Sequence, residues 1–242
     1  RCREARAIQT VPPNQPVSRS KVRAVKPRIL FITGSDTNAG KTVLAGLLTQ
    51  YLYESGRHVA GLKPICSGNR ADARALHQAA GKVLPLDEVN PWHFRAPLAP
   101  LLAARREQRR VRLPQVVSRI FRAARDSEFA VVEGAGGLLS PLGEGFSSRD
   151  LIVALNARPI VVCPNRLGAV SQALLVLAAL PRKFTSRAEV VLSDAQTDST
   201  CHSNLALLRE MIGRRRVHHL PRLSDFSTVP PALHPMLDRL VA

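Results

Sequence analysis

The chain has 242 residues, of which 45% are apolar and only 4% aromatic, which suits one α/β domain with an aliphatic core. Its formal net charge of +17 suggests nucleic-acid binding as one hypothesis. However, no aromatic side chains alternate with the arginines to stack on bases, so we expect no specific nucleic-acid binding. No window approaches the roughly 18 consecutive apolar residues of a membrane-spanning helix, and four cysteines without paired or zinc-type spacing indicate reduced thiols in a cytoplasmic protein.

The first 27 residues are basic and contain four prolines, without hydrophobic periodicity. Such a composition cannot bury enough apolar surface to fold, so we predict a disordered leader over 1–27. Residues 28–242 are then the single folded domain.

From residue 28 onward, apolar runs of strand length alternate with segments of helical periodicity. Strands are predicted at 28–33, 58–64, 129–133, 159–163, 189–192 and, at a sheet edge, 217–220. Helices are predicted at 40–55, 71–80, 114–125, 168–180, 204–212 and 231–241, and residues 90–110 are predicted to be irregular and then helical from 98. This alternation indicates a doubly wound, mostly parallel sheet of the P-loop nucleotide-binding type, whose ligands collect at the carboxyl ends of the strands.

The first strand and the first helix are joined by a glycine-bounded loop, Gly34-Ser-Asp-Thr-Asn-Ala-Gly40-Lys41-Thr42. Backbone N–H groups in such a loop can bind phosphate oxygens, helped by the helix N-terminus that follows. Lys41 is expected to reach the β- and γ-phosphates, and the Thr42 hydroxyl to bind Mg²⁺. The alternative is a tight turn beside a surface lysine.

Charged side chains also follow the next two strands. Lys63 ends the second strand, Asp72 comes shortly after it, and Glu133 ends the third. Because Mg²⁺ prefers one or two carboxylates plus phosphate oxygens, Asp72 or Glu133 beside Thr42 would complete a metal site. The alternatives are a charge in the first turn of a helix for Asp72, a helix cap or arginine partner for Glu133, and a solvated strand end for Lys63.

A further motif, Asn165-Arg-Leu-Gly168, opens an apolar helix. A helix N-terminus favours negative charge, so this start is a candidate carboxylate site, and an ordinary helix start is the alternative.

Five stretches together resemble the dethiobiotin synthetase family: 34–42, 61–68, 90–100, 132–137 and 165–168. They occur in the family's order and spacing and cover most of 28–181. The resemblance implies an ATP- and Mg²⁺-dependent carboxylation and ring closure of 7,8-diaminononanoate with CO₂, as part of biotin biosynthesis. A carbamate on one amine attacks the γ-phosphate to give a carbamic-phosphoric anhydride, and the second amine then displaces phosphate.

The resemblance also implies roles for individual residues. Lys63 would hold the carbamate against the phosphate and, with Lys41 and Thr37, forms the expected catalytic set. The hydroxyls of Thr37 and Ser67 would contact the carbamate or the diamine. The expected metal ligands are Thr42, Asp72 and Glu133. The expected nucleotide-binding residues are Gly34, Asp36, Thr37, Asn38, Ala39, Gly40, Lys41, Thr42, Glu133, Gly136, Gly137 and Ser193. In a homodimer, the backbone of Gly168, Ala169, Val170 and Ser171 in the partner subunit would hold the substrate carboxylate.

Two positions depart from the family pattern. Ser193-Asp194 stands where members often carry an asparagine that reads adenine, and serine has a shorter reach. Asn38 stands where some members have glutamate, which removes a charge near the substrate amine.

Two other functions remain open. A related amidating synthase of the cobyrinate type shares this style of loop, but none of the cysteines lies in a convincing nucleophile context. A partition-type ATPase that binds DNA non-specifically would suit the net charge, yet such proteins usually carry an extra lysine where this loop has Asp36.

Overall fold

The computed structural model describes residues 26–194, 201–225 and 228–242. The predicted leader therefore lies outside the described residues, except for positions 26 and 27. The strands are β1 (Arg28–Gly34), β2 (Val59–Leu62), β3 (Ile65–Ser67), β4 (Trp92–Phe94), β5 (Phe129–Glu133), β6 (Pro141–Gly143), β7 (Phe146–Ser147), β8 (Arg158–Pro164), β9 (Glu189–Ser193) and β10 (Val217–Leu220). The helices are α1 (Lys41–Glu54), α2 (Ala71–Ala79), α3 (Leu86–Val89), α4 (Pro100–Arg106), α5 (Leu113–Ala123), α6 (Ser148–Leu155), α7 (Ala169–Ala179), α8 (Arg182–Thr185), α9 (Cys201–Ile212) and α10 (His234–Val241).

Six strands form one parallel sheet in the order β10-β9-β8-β1-β5-β2. Helices cover both faces, with α1, α2 and α10 over one core cluster and α4 to α7 over the other. The central strands are buried on both faces, which is why they appear in the sequence as continuous aliphatic runs. The predicted doubly wound sheet and its edge strand 217–220 are confirmed. Among the described helices, none has the length and hydrophobicity needed to cross a membrane.

The second predicted strand, 58–64, was too long. The strand of the central sheet ends at Leu62, and Lys63 leaves the sheet because its N–H bonds to Val89 O (3.0 Å) and Pro64 has no N–H to donate. The chain then pairs β3 with β4 in a separate two-stranded sheet. Lys63 consequently lies at a junction between two sheets, where its side chain is 3% exposed.

Residues 90–110 are more ordered than predicted. β4 occupies the stretch predicted to be irregular, and α4 is shorter than the predicted helix, beginning at Pro100 and ending at Arg106. Helix α6 was missed altogether, although Ser147 and Asp150 form a capping box in which Asp150 Oδ2 accepts from Ser147 N (2.8 Å) and Oγ (2.7 Å). That Ser-x-x-Asp spacing was the available sequence signal.

Candidate active site

The phosphate-binding loop lies between the end of β1 and the start of α1. Gly40 precedes α1 with a φ of 96°, a left-handed conformation that favours glycine, and provides no side-chain cap to the helix. A Cβ on Gly40 would lie 2.6 Å from Ser193 Oγ, so glycine is required there for space as well as for conformation. The first N–H groups of α1 are consequently available to an anionic ligand.

A second glycine-rich loop, residues 134–137, packs directly on the first. Leu138 N donates to Gly34 O (3.1 Å), and a Cβ on Gly137 would lie 3.1 Å from Ser35 O. Only glycine allows the two backbones to approach this closely. The end of β5 is thereby fixed against the phosphate-binding loop, and Glu133 is fixed with it.

Lys63 is the centre of a compact ionic cluster. Its Nζ lies 2.7 Å from Glu133 Oε1, 2.8 Å from Asp72 Oδ2 and 2.9 Å from Gly134 O. The side chain of Glu133 is fully buried, whereas that of Asp72 is 43% exposed. The structure therefore brings together both carboxylates that the sequence left as alternatives.

Burial and charge act in opposite directions on this cluster. Burial lowers the pKa of Lys63, but Glu133 and Asp72 more than offset it, so the pKa lies above its ordinary value and the ammonium form is favoured. Burial would raise the pKa of Asp72, yet Lys63 shifts it below the ordinary value. Burial raises the pKa of Glu133 despite the neighbouring ammonium, so this carboxylate depends on a nearby cation to stay charged.

Thr42 and Glu133 fit a divalent cation. Thr42 Oγ1 donates to Glu133 Oε1 (2.8 Å), which leaves the lone pairs of the hydroxyl for another ligand. Glu133 Oε2 is buried and has no hydrogen-bond partner among the described residues. Within those same ranges, no group of three or more His, Cys, Asp or Glu side chains is arranged to hold a metal ion. A cation here would depend on phosphate oxygens to complete its coordination, as Mg²⁺ commonly does.

Lys41 lies on the other side of the loop. Its Nζ donates to Asp36 O (2.7 Å), and a Cβ on Gly34 would lie 3.2 Å from that nitrogen. Burial, followed by repulsion from Lys63, lowers the pKa of Lys41. The ammonium is thus held by a loop carbonyl next to the expected phosphate position.

The sequence of the chain matches those of known proteins. A family model described as an AAA domain matches residues 28–229. A protein named ATP-dependent dethiobiotin synthetase BioD from Anaeromyxobacter dehalogenans (strain 2CP-C) is 38% identical over 216 residues, covering 87% of this chain and 97% of the relative. A relative of the same name from Akkermansia muciniphila is 36% identical, over 76% of this chain and 87% of the relative. Another from Ralstonia nicotianae is 34% identical, over 80% of this chain and 88% of the relative.

The chain belongs to the dethiobiotin synthetase family. The resemblance inferred from five motifs is confirmed, and the partition-type and amidating alternatives are not favoured. The remaining expected residues can be placed against this assignment.

Ser67 ends β3, in the small sheet next to Lys63. Its Oγ donates to Leu98 O (2.6 Å), so the hydroxyl proton is used and the lone pairs can accept from an N–H group. Thr37 lies in the phosphate-binding loop, where its own N–H donates to Asp36 Oδ1 (2.6 Å) and its hydroxyl faces the 134–137 loop. Asn38 has a φ of 57°, which asparagine tolerates better than most residues.

Sequence reasoning missed one supporting residue in this family site. Asn90 is buried, and its Nδ2 donates to Lys63 O (2.7 Å), which fixes the backbone that carries the lysine. The side chain of Arg70 holds Asn90 in turn, through Nε to Oδ1 (3.0 Å). The available signal was its place at the start of the 90–100 stretch that resembles the family, to which no role had been given.

The predicted carboxylate site is distant from Lys63 within one chain. Gly168 has a φ of 89° and precedes α7, which follows β8, whereas Lys63 follows β2. Three strand spacings separate β8 from β2, or about 14 Å. The structure therefore does not bring residues 168–171 together with the ionic cluster in a single subunit.

Ser193 is the last residue of β9 and packs against Gly40. The next residue, Asp194, accepts from Asn165 Nδ2 (2.8 Å) and pairs with His219 Nε2 (2.7 Å). Ser193, the residue expected to recognise the adenine base, thus contacts the phosphate-binding loop, and its neighbour Asp194 is bonded to the Asn165 motif.

Proposed function

We propose that this chain catalyses the ATP- and Mg²⁺-dependent carboxylation and ring closure of 7,8-diaminononanoate with CO₂ to dethiobiotin. The observation that carries the proposal is the Lys63–Asp72–Glu133 cluster beside a phosphate-binding loop. It combines a cation for an anionic carbamate with oxygen ligands for a metal–nucleotide complex. The free, buried thiols of Cys66 and Cys163 are consistent with a reducing, cytoplasmic location.

The phosphate-binding loop and Lys41 hold the nucleotide phosphates. Residues 34–42 supply backbone N–H groups from the loop and the first turn of α1, and Lys41 neutralises charge on the β- and γ-phosphates. Gly136 and Gly137, in the 134–137 loop, would form the wall of the nucleotide site opposite the phosphate-binding loop. Ser193, the last residue of β9, would contact the nucleoside part of the nucleotide.

Thr42, Asp72 and Glu133 would hold Mg²⁺. The ion supplies charge neutralisation at the β- and γ-phosphate oxygens when it is bound. The unpartnered Oε2 of Glu133 and the free lone pairs of Thr42 Oγ1 are the observations that support this assignment.

Lys63 would position the substrate. Its ammonium binds the carbamate oxygens, so that one of them can attack the γ-phosphorus as ADP leaves. Ser67 accepts a hydrogen bond from an amine N–H, and Thr37 contacts the carbamate from the loop. The second amine then attacks the carbonyl carbon of the mixed anhydride, and phosphate leaves as the cyclic urea forms.

The proposal predicts that ADP release requires both substrates. We expect ADP formation only when the diamine and bicarbonate are both present, because the carbamate is the nucleophile. A coupled ADP assay with each component omitted in turn tests this, with dethiobiotin quantified in parallel by mass spectrometry. ATP turnover that continues without the diamine or bicarbonate would contradict the proposed function.

We further propose that the enzyme is a homodimer. Leu167, Leu175, Leu207 and Met211 are exposed by 48 to 76% on and around α7 and α9. A mainly apolar cleft of about 600 Å³ begins at Gly168 and runs along the same helices. A second copy would cover these side chains, and its residues 168–171 would then face the substrate bound at the first subunit's Lys63.

Leu175→Asp is expected to convert the dimer to a monomer and to raise the KM for the diamine about tenfold or more, because it places a charge in an apolar interface. Light scattering after size-exclusion chromatography measures the oligomeric state. Leu102→Asp is the matched control, since Leu102 is likewise an exposed leucine (51%, against 67% for Leu175) but lies on α4. A Leu175→Asp protein that elutes as a dimer with unchanged KM would refute this interface.

A further inference from the structure

We infer that Lys63 acts as the resident cation of the metal site in the metal-free protein, and that binding of a divalent cation between Asp72 and Glu133 releases its ammonium group to the substrate. This inference rests on the metal assignment made under Proposed function. It gives Lys63 a positioning role in addition to its role toward the carbamate.

The hydrogen bonds of Lys63 make such a release necessary. A lysine ammonium has three N–H donors, and Nζ has three acceptors within 2.9 Å: Glu133 Oε1, Asp72 Oδ2 and Gly134 O. All its donors are used inside the protein. At least one of these bonds has to break before Lys63 can donate to a carbamate oxygen.

The two carboxylates explain why the ammonium lies there. They come from α2 and from the end of β5, and both approach the same nitrogen, which holds them near each other at a largely buried position. Like charges so close destabilise each other unless a cation lies between them. Lys63 supplies that cation, and Asn90 and Arg70 hold the lysine backbone in place.

Lys63 satisfies this site only in part. Lys63 and Thr42 both bind Oε1 of Glu133, whereas Oε2 is buried without a partner among the described residues. A divalent cation has twice the charge of an ammonium and prefers carboxylate oxygens as ligands, so it competes with Lys63 for Asp72 and Glu133. The 43% exposure of the Asp72 side chain provides a solvent-facing side for its entry. Metal would therefore bind before the carbamate.

Titration calorimetry of the nucleotide-free full chain with MgCl₂ tests this exchange. We expect Lys63→Met to bind Mg²⁺ at least about tenfold more tightly than the wild type, because a nearby cation weakens the binding of a second one by about one to three powers of ten. Lys63→Arg should keep the weak affinity, since it keeps the charge. Lys183→Met is the matched control and should leave the affinity unchanged, because Lys183 is exposed on α8, which is not among the elements that form the site.

Thermal unfolding provides a second measurement. Without Mg²⁺ the Lys63→Met protein should unfold at a lower temperature than the wild type, and added Mg²⁺ should restore its Tm more than it raises the Tm of the wild type. A folded Lys63→Met protein that binds Mg²⁺ no more tightly than the wild type would overturn the exchange.

Two further variants separate failure of the exchange from failure of the metal assignment. If Glu133→Gln and Asp72→Asn lower the Mg²⁺ affinity while Lys63→Met leaves it unchanged, the metal site stands and the exchange is wrong. If neither carboxylate variant lowers the affinity, even combined with Lys63→Met, the metal assignment itself is wrong.

Discussion

Lys41→Ala is expected to reduce ATP turnover by about 100- to 1,000-fold while the protein stays folded. Lys41 is the cation of the phosphate-binding loop, and its ammonium already lies beside Gly34, held by Asp36 O at 2.7 Å. The other lysine described at the site, Lys63, lies between Glu133, Asp72 and Gly134 and is assigned to the carbamate, so it does not replace Lys41 at the phosphates. Removing Lys41 therefore leaves Mg²⁺ as the remaining source of charge neutralisation at the phosphates, and the loss of one preorganised donor costs about 100- to 1,000-fold in rate.

A single-turnover measurement of ADP formation with saturating diamine and bicarbonate tests this prediction. Lys183→Ala is the charge-matched control, because Lys183 is exposed on α8, which is not among the elements that form the site. It should retain full activity. If Lys41→Ala kept more than about a tenth of the rate, the assignment of Lys41 to the phosphates would be wrong.

The parallel sheet was predictable because its signals are local. β1, β5 and β8 are continuous aliphatic runs, and each is followed by a loop or helix start that the sequence marks with glycine. Because these glycines follow the carboxyl ends of parallel strands, they also predict that Lys41, Glu133 and Gly168 lie at one edge of the sheet.

The missed elements depend on contacts between distant segments. β3 and β4 have only three residues each, and they exist because residues 65–67 pair with 92–94. No window of that length has a distinctive period. The end of β2 at Leu62 has the same origin, since Lys63 N bonds to Val89 O from α3.

The site was predictable as a set of residues but not as an arrangement. Residue types placed Asp72 or Glu133 near Thr42 and the family resemblance named both as metal ligands, but neither gave their arrangement, because the relative position of α2 and β5 is set by packing. The resemblance also assigned Lys63 to the substrate alone. The coordinates show that the lysine first satisfies both carboxylates, which is a property of side-chain geometry that spacing along the chain does not encode.

Lys63→Ala and Lys63→Gln are expected to keep nucleotide binding and to lose about 100- to 1,000-fold of dethiobiotin formation. The phosphate-binding loop lies between β1 and α1 and is joined to the 134–137 loop by Leu138 N to Gly34 O (3.1 Å), a bond that does not involve Lys63. Among the described residues, the one bond from Lys63 to these backbones is Nζ to Gly134 O (2.9 Å). The dissociation constant for Mg²⁺–ADP, measured by calorimetry, should therefore not rise by more than about tenfold, and it should fall if Lys63 competes with the metal for the two carboxylates.

The two variants differ in a way that identifies what Lys63 does. Glutamine keeps N–H donors but not the charge, whereas alanine removes both. If the ammonium mainly orients the carbamate through hydrogen bonds, Lys63→Gln should recover part of the rate that Lys63→Ala loses. If it mainly stabilises negative charge as the γ-phosphate is attacked, both variants should lose kcat equally with little change in KM. Full activity in Lys63→Ala would refute both roles and leave the cluster as a structural ion pair.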